Sequence, residues 1–322
     1  MQIEKSEKIL ILSEIQGLEQ ELENTCGDLA TFSTAIISDV STETLQAATI
    51  IVADPPTFCQ VADSCLNLRW LQSTYAGVDA LAKFSTKRDY VCTRVSGVFG
   101  PRMAEYTMLH VLGAERKLKA NFLRQQNAEW GAHKSLAQGT YRELNGLVLG
   151  VLGIGDIGQE VARVASAFGM RIWGYRNTAQ GMDGVECVFG SEQLPEFLAG
   201  CDYMVNVLPS TAHTRGLLDG DVLMGCKTGC VFINIGRGDV VEESTILTAL
   251  DKEWLAHAVL DVFKTEPLPQ ESPLWMHPNV TITPHSAAES TPRDVVIAFS
   301  ENLKLYQAGK DLQHTLDWEK GY

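Results

Sequence analysis

The sequence predicts an α/β protein of two domains, each built around a doubly wound parallel sheet, with a cleft between them. Three observations support this prediction. Short apolar runs alternate with helix-like segments along almost the whole 322-residue chain, and such alternation is typical of βαβ units. The alternation falls into two series, which a long helical segment separates. A glycine-rich motif then opens the second series, where a buried strand meets an amphipathic helix.

The first series precedes the long helical segment. Its candidate strands are residues 8–12, 49–53, 68–74 and 91–95. A helix follows the first strand, because Ile15, Leu18 and Leu22 recur at helical spacing. The long helix is predicted from Pro101 to about Asn127, since proline is favourable at the start of a helix. It is longer than an ordinary crossover, and we interpret it as a bridge between the two domains.

The second series begins after this bridge and contains a longer set of candidate strands. They are residues 147–153, 171–175, 185–189, 203–208, 231–236, 257–263 and 280–284. A helix from about Glu289 to Ala308 closes the chain. If this helix packs on the first domain, the second domain is an insertion. The sequence then predicts a first domain of residues 1–99 plus 288–322 and a second domain of residues 100–287.

The composition favours a globular protein that binds neither nucleic acid nor membrane. The 40 acidic side chains outnumber the 26 basic ones, which gives a net charge of −14. Contacts with nucleic acid or anionic lipid need an excess of Lys and Arg. The N-terminus lacks the apolar run of roughly 7–15 residues that a secretory signal requires. No segment approaches the roughly 20 apolar residues of a membrane span.

The cysteines point to a reducing compartment. The chain has eight of them, none in a CxxC pair and none at zinc-finger spacing from a histidine. Scattered thiols of this kind are typical of cytosolic proteins. The sequence therefore predicts a cytoplasmic protein without a metal site.

The glycine-rich motif lies in the segment VLGVLGIGDIGQEVARVASAFGM. Its order is Gly153-x-Gly155-x-x-Gly158, and its place between strand and helix is typical of a Rossmann-type dinucleotide site. Gly153 permits a tight turn, Gly155 lets the backbone approach a pyrophosphate, and Gly158 lets helix and strand pack closely. The phosphates would rest on N–H groups at the helix N-terminus, around Asp156 and Ile157. A glycine-rich turn without a ligand is the alternative.

The strand after this helix indicates which dinucleotide binds. NAD sites usually carry an acidic residue about 20 residues after the glycines, which binds the ribose 2′-OH. The segment RIWGYRNT has no acid, and Arg176 stands there instead, followed by Asn177 and Thr178. Because a guanidinium pairs with a 2′-phosphate, NADP(H) is the predicted cofactor, with NAD(H) as a second choice. Alternatively, Arg176 is a solvated surface residue and the ribose is held otherwise.

Three ionisable residues follow three different strands of the second series. Arg237 comes after VFINIG, Glu266 after HAVLDVF, and His285 after VTITP. Ligands of open α/β sheets bind outside the carboxyl ends of the strands, so we expect the three side chains to converge. Each of them alone is more often a structural or surface residue. The prediction rests on their combination with the phosphate loop.

These residue types fit the reduction of a 2-keto acid beside a nicotinamide. Arg237 would clamp the carboxylate and polarise the carbonyl, and His285 would give a proton to the developing alkoxide. Glu266 would bind the far ring nitrogen of His285 and raise its pKa, which keeps an acid available at neutral pH. We interpret Gly236 and Gly238 as small neighbours that let cofactor and substrate approach the guanidinium.

Together these motifs resemble the D-isomer-specific 2-hydroxyacid dehydrogenases over nearly the whole chain. The glycine segment is followed, in family order, by NVLPSTAHTRGLL, FINIGRGDVV, LDVFKTEPLP and TPHSAA. The spacing of Arg237, Glu266 and His285 is similar to that of the family's Arg–Glu–His set. The resemblance implies two flavodoxin-like lobes, usually in a homodimer. It also implies that the first domain binds the substrate and the second binds the dinucleotide.

The resemblance implies roles for single positions as well. Ala76 and Gly77 in STYAGVDAL match the loop whose N–H groups take the substrate carboxylate. The cofactor-lining positions of the family match Ile157, Pro209, Thr214, Ile235 and Asp261. Asp261 is equally a candidate for a buried structural carboxylate. Tyr75 stands where many relatives have a smaller residue, and Trp130 lies in a segment that often helps to form the dimer and the substrate pocket, although a packed aromatic fits it equally well.

The sequence therefore predicts an NADPH-preferring oxidoreductase that reduces small 2-keto acids such as glyoxylate, hydroxypyruvate or pyruvate. The product would have D configuration where it is chiral. Arg176 makes the chain resemble the glyoxylate and hydroxypyruvate reductases more than the NAD-using members. Two alternatives remain open at this point. One is an NAD(P)H-sensing, corepressor-like binding protein of the same fold, and the other is a dehydrogenase of another small acid such as formate.

Overall fold

The chain folds into two α/β units, each with a parallel sheet. The computed structural model describes residues 7–85, 87–130 and 142–319. The first unit comprises Met1–Val98 with Glu289–Tyr322, and the second comprises Phe99–Ala288. The predicted fold class of two parallel-sheet domains is confirmed. None of the described helices is long and apolar enough to cross a membrane.

The strands and helices follow one another in alternation, as the sequence predicts. The described strands are β1 (Glu7–Leu12), β2 (Ala30–Thr34), β3 (Ile50–Ala53), β4 (Trp70–Ser73), β5 (Val91–Thr93), β6 (Val148–Leu152), β7 (Arg171–Tyr175), β8 (Cys187–Phe189), β9 (Tyr203–Asn206), β10 (Val231–Asn234), β11 (His257–Leu260) and β12 (Val280–Ile282). The described helices are α1 (Leu18–Cys26), α2 (Thr42–Ala47), α3 (Pro55–Cys59), α4 (Asp79–Phe84), α5 (Gly100–Glu115), α6 (Leu118–Gln126), α7 (Asp156–Ala167), α8 (Leu194–Gly200), α9 (Glu243–Asp251) and α10 (Pro292–Gln307).

The sheet of the first unit has the order β2-β1-β3-β4-β5. The residues of β3 and β4 are all buried, and β3 is apolar along its whole length, which is why it was predictable as an apolar run. The edge strand β2 is missing from the prediction, because only Ala30 of its five residues is buried. The closing helix α10 packs on this sheet, where the ring of Phe299 stacks on Trp70 with centroids 5.0 Å apart.

The sheet of the second unit has the order β12-β11-β10-β9-β6-β7-β8. Apolar side chains form a separate core cluster on each face: Leu152 and Phe232 belong to one, Leu149 and Ile233 to the other. Because both faces are covered, the strands are continuous apolar runs. The chain leaves β6 towards β7 on one side and returns to β9 on the other. Ligands of such sheets bind at this switch point, outside the carboxyl ends of the strands.

The prediction of one long helix from Pro101 to about Asn127 is wrong. The structure has two helices, because the backbone turns at Lys117, whose φ is 52°. A residue in this left-handed conformation cannot continue a right-handed helix. The apolar side chains of α6 also fail to continue the buried face of α5, since no residue of α6 is buried.

Candidate active site

The site is built at the carboxyl edge of the second unit's sheet. The loops after β6, β7, β9, β10, β11 and β12 all begin there, because the strands are parallel. The glycine motif follows β6, Arg176 follows β7, and the three predicted catalytic residues follow the last three strands. The register of the sheet therefore accounts for the convergence of residues that are far apart in sequence.

His285 and Glu266 form a hydrogen-bonded pair in the loops after β12 and β11. His285 Nδ1 lies 2.8 Å from Glu266 Oε2, and the other carboxylate oxygen accepts the Phe263 N–H at 2.8 Å. The hydrogen bond to Glu266 raises the pKa of His285 above its usual value, against the opposing effects of burial and of Arg237. Burial alone would raise the pKa of Glu266, but the bonds from His285 and Phe263 leave it below its usual value. The pair therefore favours an imidazolium beside a carboxylate.

Arg237 follows β10 and lies close enough to act on both members of this pair. Its charge lowers the pKa of His285 and also that of Glu266. Its Nη1 donates to the Gly236 carbonyl at 2.7 Å. The structure thus brings Arg237, Glu266 and His285 to one edge of one unit. Their catalytic roles stay predictions, as does the pairing of the guanidinium with a substrate carboxylate.

The glycines beside Arg237 have a different reason from the predicted one. A Cβ at Gly238 would lie 2.0 Å from the Phe263 carbonyl carbon, and a Cβ at Gly236 would lie 2.9 Å from the Leu208 carbonyl oxygen. The space beside both glycines is therefore filled by protein backbone. The interpretation that they make room for cofactor and substrate is corrected accordingly: they let the loops after β9, β10 and β11 pack against one another.

Two asparagines that were not predicted also fix the Arg237 loop. Asn206 and Asn234 end the apolar strands β9 and β10 and are almost completely buried. Asn206 Nδ2 donates to Asn234 Oδ1 at 2.8 Å, and Asn234 Nδ2 donates to the Arg237 carbonyl at 3.1 Å. The signal for them was available in the sequence, since a buried amide at the end of an apolar strand needs a partner.

Asp261 holds the loop that carries His285. One carboxylate oxygen accepts the Thr283 hydroxyl at 2.5 Å and the Ser286 N–H at 2.9 Å, and the other accepts the Ala287 N–H at 3.0 Å. A carboxylate has about four acceptor positions, so these bonds use most of its capacity. Of the two alternatives for Asp261, the structural one is visible in these bonds. Its predicted contact with the cofactor stays a prediction.

The glycine loop has the shape of a phosphate cradle. Gly153 has φ 96°, and a Cβ at Gly158 would lie 2.3 Å from the Gly153 carbonyl oxygen, so both positions require glycine. A Cβ at Gly155 would meet nothing within 4 Å, which leaves space beside the loop. Within the described ranges, no acceptor engages the N–H groups of Gly155, Asp156 or Ile157 at the start of α7. The residues present therefore fit a dinucleotide pyrophosphate.

Arg176, Asn177 and Thr178 directly follow β7, which lies next to β6, the strand that leads into the glycine loop. The Arg176 N–H donates to the Phe189 carbonyl at 3.1 Å, and its Nη1 lies 3.6 Å from Met182 Sδ. Asn177 and Thr178 are exposed. This arrangement leaves polar side chains where the ribose end of a dinucleotide would lie. Contact with a 2′-phosphate stays a prediction.

The remaining predicted cofactor positions differ in what they can offer. Thr214 Oγ1 donates to the Pro209 carbonyl at 2.6 Å, which closes the turn after β9. Ile157 is partly buried against the core. Ile235 is only 3% exposed, so its side chain supports the edge from within and offers little surface to a ligand.

The predicted substrate loop belongs to the first unit and follows β4. The Ser73 hydroxyl accepts the Tyr75 N–H and donates to the Tyr75 carbonyl, both at 3.0 Å, which fixes the start of the loop. No described residue accepts a hydrogen bond from the N–H of Ala76 or Gly77. Two such donors suit a carboxylate, although the role of this loop stays a prediction. The Tyr75 side chain is 41% exposed, and burial raises its pKa, together with the charges of Asp54 and Glu14.

Comparisons with known proteins agree on one family. Residues 108–287 match the family model described as D-isomer specific 2-hydroxyacid dehydrogenase, NAD binding domain. Glyoxylate/hydroxypyruvate reductase A of Serratia proteamaculans is 35% identical over 256 residues, which is 77% of this chain and 79% of that protein.

Solved structures resemble the chain over nearly its whole length. A D-isomer specific 2-hydroxyacid dehydrogenase family protein from Aeromonas salmonicida has a TM-score of 0.89 at 35% identity and covers 97% of this chain and 99% of its own. A D-isomer specific 2-hydroxyacid dehydrogenase from Xanthobacter autotrophicus, in complex with NADPH and MES, has a TM-score of 0.86 at 31% identity and covers 98% and 100%. The NADPH-dependent glyoxylate/hydroxypyruvate reductase from Sinorhizobium meliloti, in complex with NADP and sulfate, has a TM-score of 0.84 at 27% identity and covers 98% and 100%.

Proposed function

Because the chain belongs to the D-isomer specific 2-hydroxyacid dehydrogenase family, we propose that it reduces small 2-keto acids such as glyoxylate, hydroxypyruvate or pyruvate, with NADPH as the preferred donor. The product has D configuration where it is chiral. The observation that carries the proposal is the His285–Glu266 pair with Arg237 beside it, at the same sheet edge as the glycine loop. The names of the Serratia and Sinorhizobium relatives support glyoxylate and hydroxypyruvate as substrates.

The second unit binds the dinucleotide in this proposal. The N–H groups around Asp156 and Ile157 hold the pyrophosphate, and Arg176 holds the 2′-phosphate with Asn177 and Thr178. When bound, the reduced nicotinamide supplies a hydride. The complexes of the Xanthobacter and Sinorhizobium structures with NADPH and NADP support this choice of cofactor.

Arg237 orients the keto acid. Its guanidinium binds the substrate carboxylate and draws electron density from the adjacent carbonyl oxygen. The N–H groups of Ala76 and Gly77, in the loop after β4, are candidate donors to a substrate carboxylate in the same proposal. The backbone packing at Gly236 and Gly238 fixes the Arg237 loop before substrate arrives, so little reorganisation is needed at the moment of reaction.

His285 is the general acid. Its protonated ring gives a proton to the carbonyl oxygen as negative charge develops there. Glu266 binds Nδ1 at 2.8 Å, which leaves Nε2 for the substrate and keeps the ring protonated to higher pH because it raises the His285 pKa. In the reverse direction the neutral ring takes the proton back.

A turnover assay tests this proposal. The purified protein is incubated with glyoxylate, hydroxypyruvate, pyruvate and a larger keto acid, each with NADPH and with NADH, and cofactor oxidation is followed by absorbance. We expect turnover of the small acids and a preference for NADPH. His285→Gln should lower kcat by about 100-fold or more while cofactor binding is retained. Cofactor binding without turnover of any acid would favour the corepressor-like alternative.

We also propose that the protein is a cytoplasmic homodimer. The apolar side chains of Leu118, Phe122 and Leu123 on α6 are between 41% and 58% exposed, and exposed apolar groups of this kind suit an interface. All eight cysteines are free thiols, which fits a reducing compartment. Light scattering should give twice the chain mass for the wild type and the chain mass for a Phe122→Asp, Leu123→Asp variant.

A further inference from the structure

The backbone of His285 has an unfavourable conformation that the surrounding structure must impose. Its φ is 54°, in the left-handed region that residues with a Cβ rarely occupy. Such residues persist where the neighbouring structure over-determines them, and they cluster at active sites. The ring of His285 reaches Glu266 from this conformation, so whatever holds the backbone also aims the ring.

Asp261 holds this backbone from both sides. Its main-chain carbonyl accepts the His285 N–H at 2.8 Å, and its carboxylate accepts the N–H groups of Ser286 and Ala287. The position of the His285 loop therefore depends on the orientation of one buried carboxylate. Asp261 is 1% exposed, so water does not compete for these bonds.

A chain of two hydroxyl groups fixes the Asp261 carboxylate. Thr283 Oγ1 donates to Asp261 Oδ1 at 2.5 Å, and it lies 2.6 Å from the Tyr106 hydroxyl. The threonine hydroxyl has a single proton, which goes to the carboxylate, so the second bond must take its proton from tyrosine. Burial raises the pKa of Tyr106 to about 12, so this donor keeps its proton under working conditions.

We propose that Tyr106 and Thr283 are positioning residues for the reaction, acting on His285 through Asp261. Tyr106 lies on α5, in the middle of a helix packed against α7, which gives the chain of bonds a rigid starting point. Because Tyr106 donates to Thr283 and Thr283 donates to Asp261, each hydrogen bond is polarised towards the carboxylate. The proposal deepens the proposed function and rests on it, because it concerns the same histidine.

Substitutions that remove one hydroxyl at a time test the proposal. Tyr106→Phe and Thr283→Val should each lower kcat by about tenfold, the rate equivalent of one hydrogen bond, with the KM for NADPH unchanged. Thr283→Ser keeps the hydroxyl and should retain most of the activity. The kcat of the double variant should be no lower than that of the less active single variant, since both changes break the same chain of hydrogen bonds.

Tyr203→Phe is the matched control. The Tyr203 hydroxyl is also a buried donor, to Glu115 at 2.7 Å, but Tyr203 begins β9 and so lies at the opposite edge of the sheet. It should lower the thermal stability as Tyr106→Phe does and leave kcat unchanged. An equal loss of kcat in Tyr203→Phe would overturn the proposal, because the effect would then be one of general stability.

Amide hydrogen exchange gives a readout that needs no turnover. The N–H groups of Ser286 and Ala287 donate to Asp261, so they should exchange faster than in wild type when Tyr106→Phe or Thr283→Val is introduced. In the Thr283→Ser and Tyr203→Phe variants, they should exchange as slowly as in wild type. Unchanged protection with unchanged kcat would overturn the proposal. If the wild type turns over no keto acid, the proposed function fails, whereas the exchange rates still report on the positioning chain.

Discussion

Replacing Gly238 with alanine is expected to lower kcat/KM for keto-acid reduction by about 100-fold without unfolding the protein. The new Cβ would lie 2.0 Å from the Phe263 carbonyl carbon, 2.4 Å from its oxygen and 2.5 Å from the Lys264 nitrogen. Because real Cβ atoms stay beyond 3.0 Å, one of the two loops must move by about 1 Å. All three contacts are backbone atoms, so no side chain can turn aside to make room.

This movement would separate groups that have to act together. Arg237 directly precedes Gly238, and Glu266 follows Lys264 by two residues, so a shift of either loop changes the position of Arg237 relative to the His285–Glu266 pair. A misplacement of about 1 Å is sufficient for a loss of about 100-fold in rate. The loss is expected whichever loop moves, because both loops carry a catalytic group in the proposed mechanism.

Steady-state oxidation of NADPH with glyoxylate measures the effect, and a thermal melt by circular dichroism shows whether the variant is folded. Gly225→Ala is the matched control, because a Cβ at that position meets nothing within 4 Å. It should keep wild-type activity. A Gly238→Ala variant with wild-type kcat/KM would refute the reasoning, since the loops would then tolerate the displacement that the backbone contact demands.

Three further predictions concern the charges of the site. Glu266→Gln removes the group that raises the pKa of His285, so the alkaline limb of the pH profile of kcat/KM should move to lower pH; an unmoved limb would show that another group titrates there. The pair should also stabilise the fold within a pH window. The contribution of His285 to the free energy of unfolding is complete below pH 6.5 and is lost as the pH rises through its raised pKa. The contribution of Glu266 is complete above pH 4.5 and is lost as the pH falls through its lowered pKa. The difference in Tm between wild type and His285→Gln should therefore be largest between pH 4.5 and pH 6.5. A difference in Tm that does not vary with pH would contradict the linkage. Arg176→Asp should raise the KM for NADPH by about 10- to 100-fold and that for NADH far less. Arg171→Asp, at the other end of β7, is its control, and equal losses for both cofactors would argue against a 2′-phosphate contact.

The local pattern of the sequence was sufficient for most of the fold. Apolar runs placed eleven of the twelve described strands, because strands covered on both faces need apolar residues along their whole length. The exceptions were two features that do not depend on a run of buried apolar residues. β2 is an edge strand with one buried residue. The break at Lys117 depends on backbone conformation, which no apolar periodicity reports.

For the site, the sequence predicted the chemistry, and the tertiary structure determined how the predicted residues are held. Arg237, Glu266 and His285 were recognisable because each follows a strand of the same predicted parallel sheet, in combination with the glycine loop. Their supports were not recognisable from spacing. Gly238 is needed because the backbone of Phe263 lies against it, a contact that exists only once β10 and β11 are neighbours.

The same distinction applies to the hydrogen bonds around His285. The sequence placed Asp261 at the end of a predicted strand, but its partners all come from the loop that follows β12. The Tyr106 hydroxyl reaches Thr283 across 177 positions of sequence. Residue types and short-range periodicity define which groups can react and which segments are buried. Only the packed sheet brings distant backbone and hydroxyl groups within hydrogen-bonding distance, because those contacts depend on strand order and register.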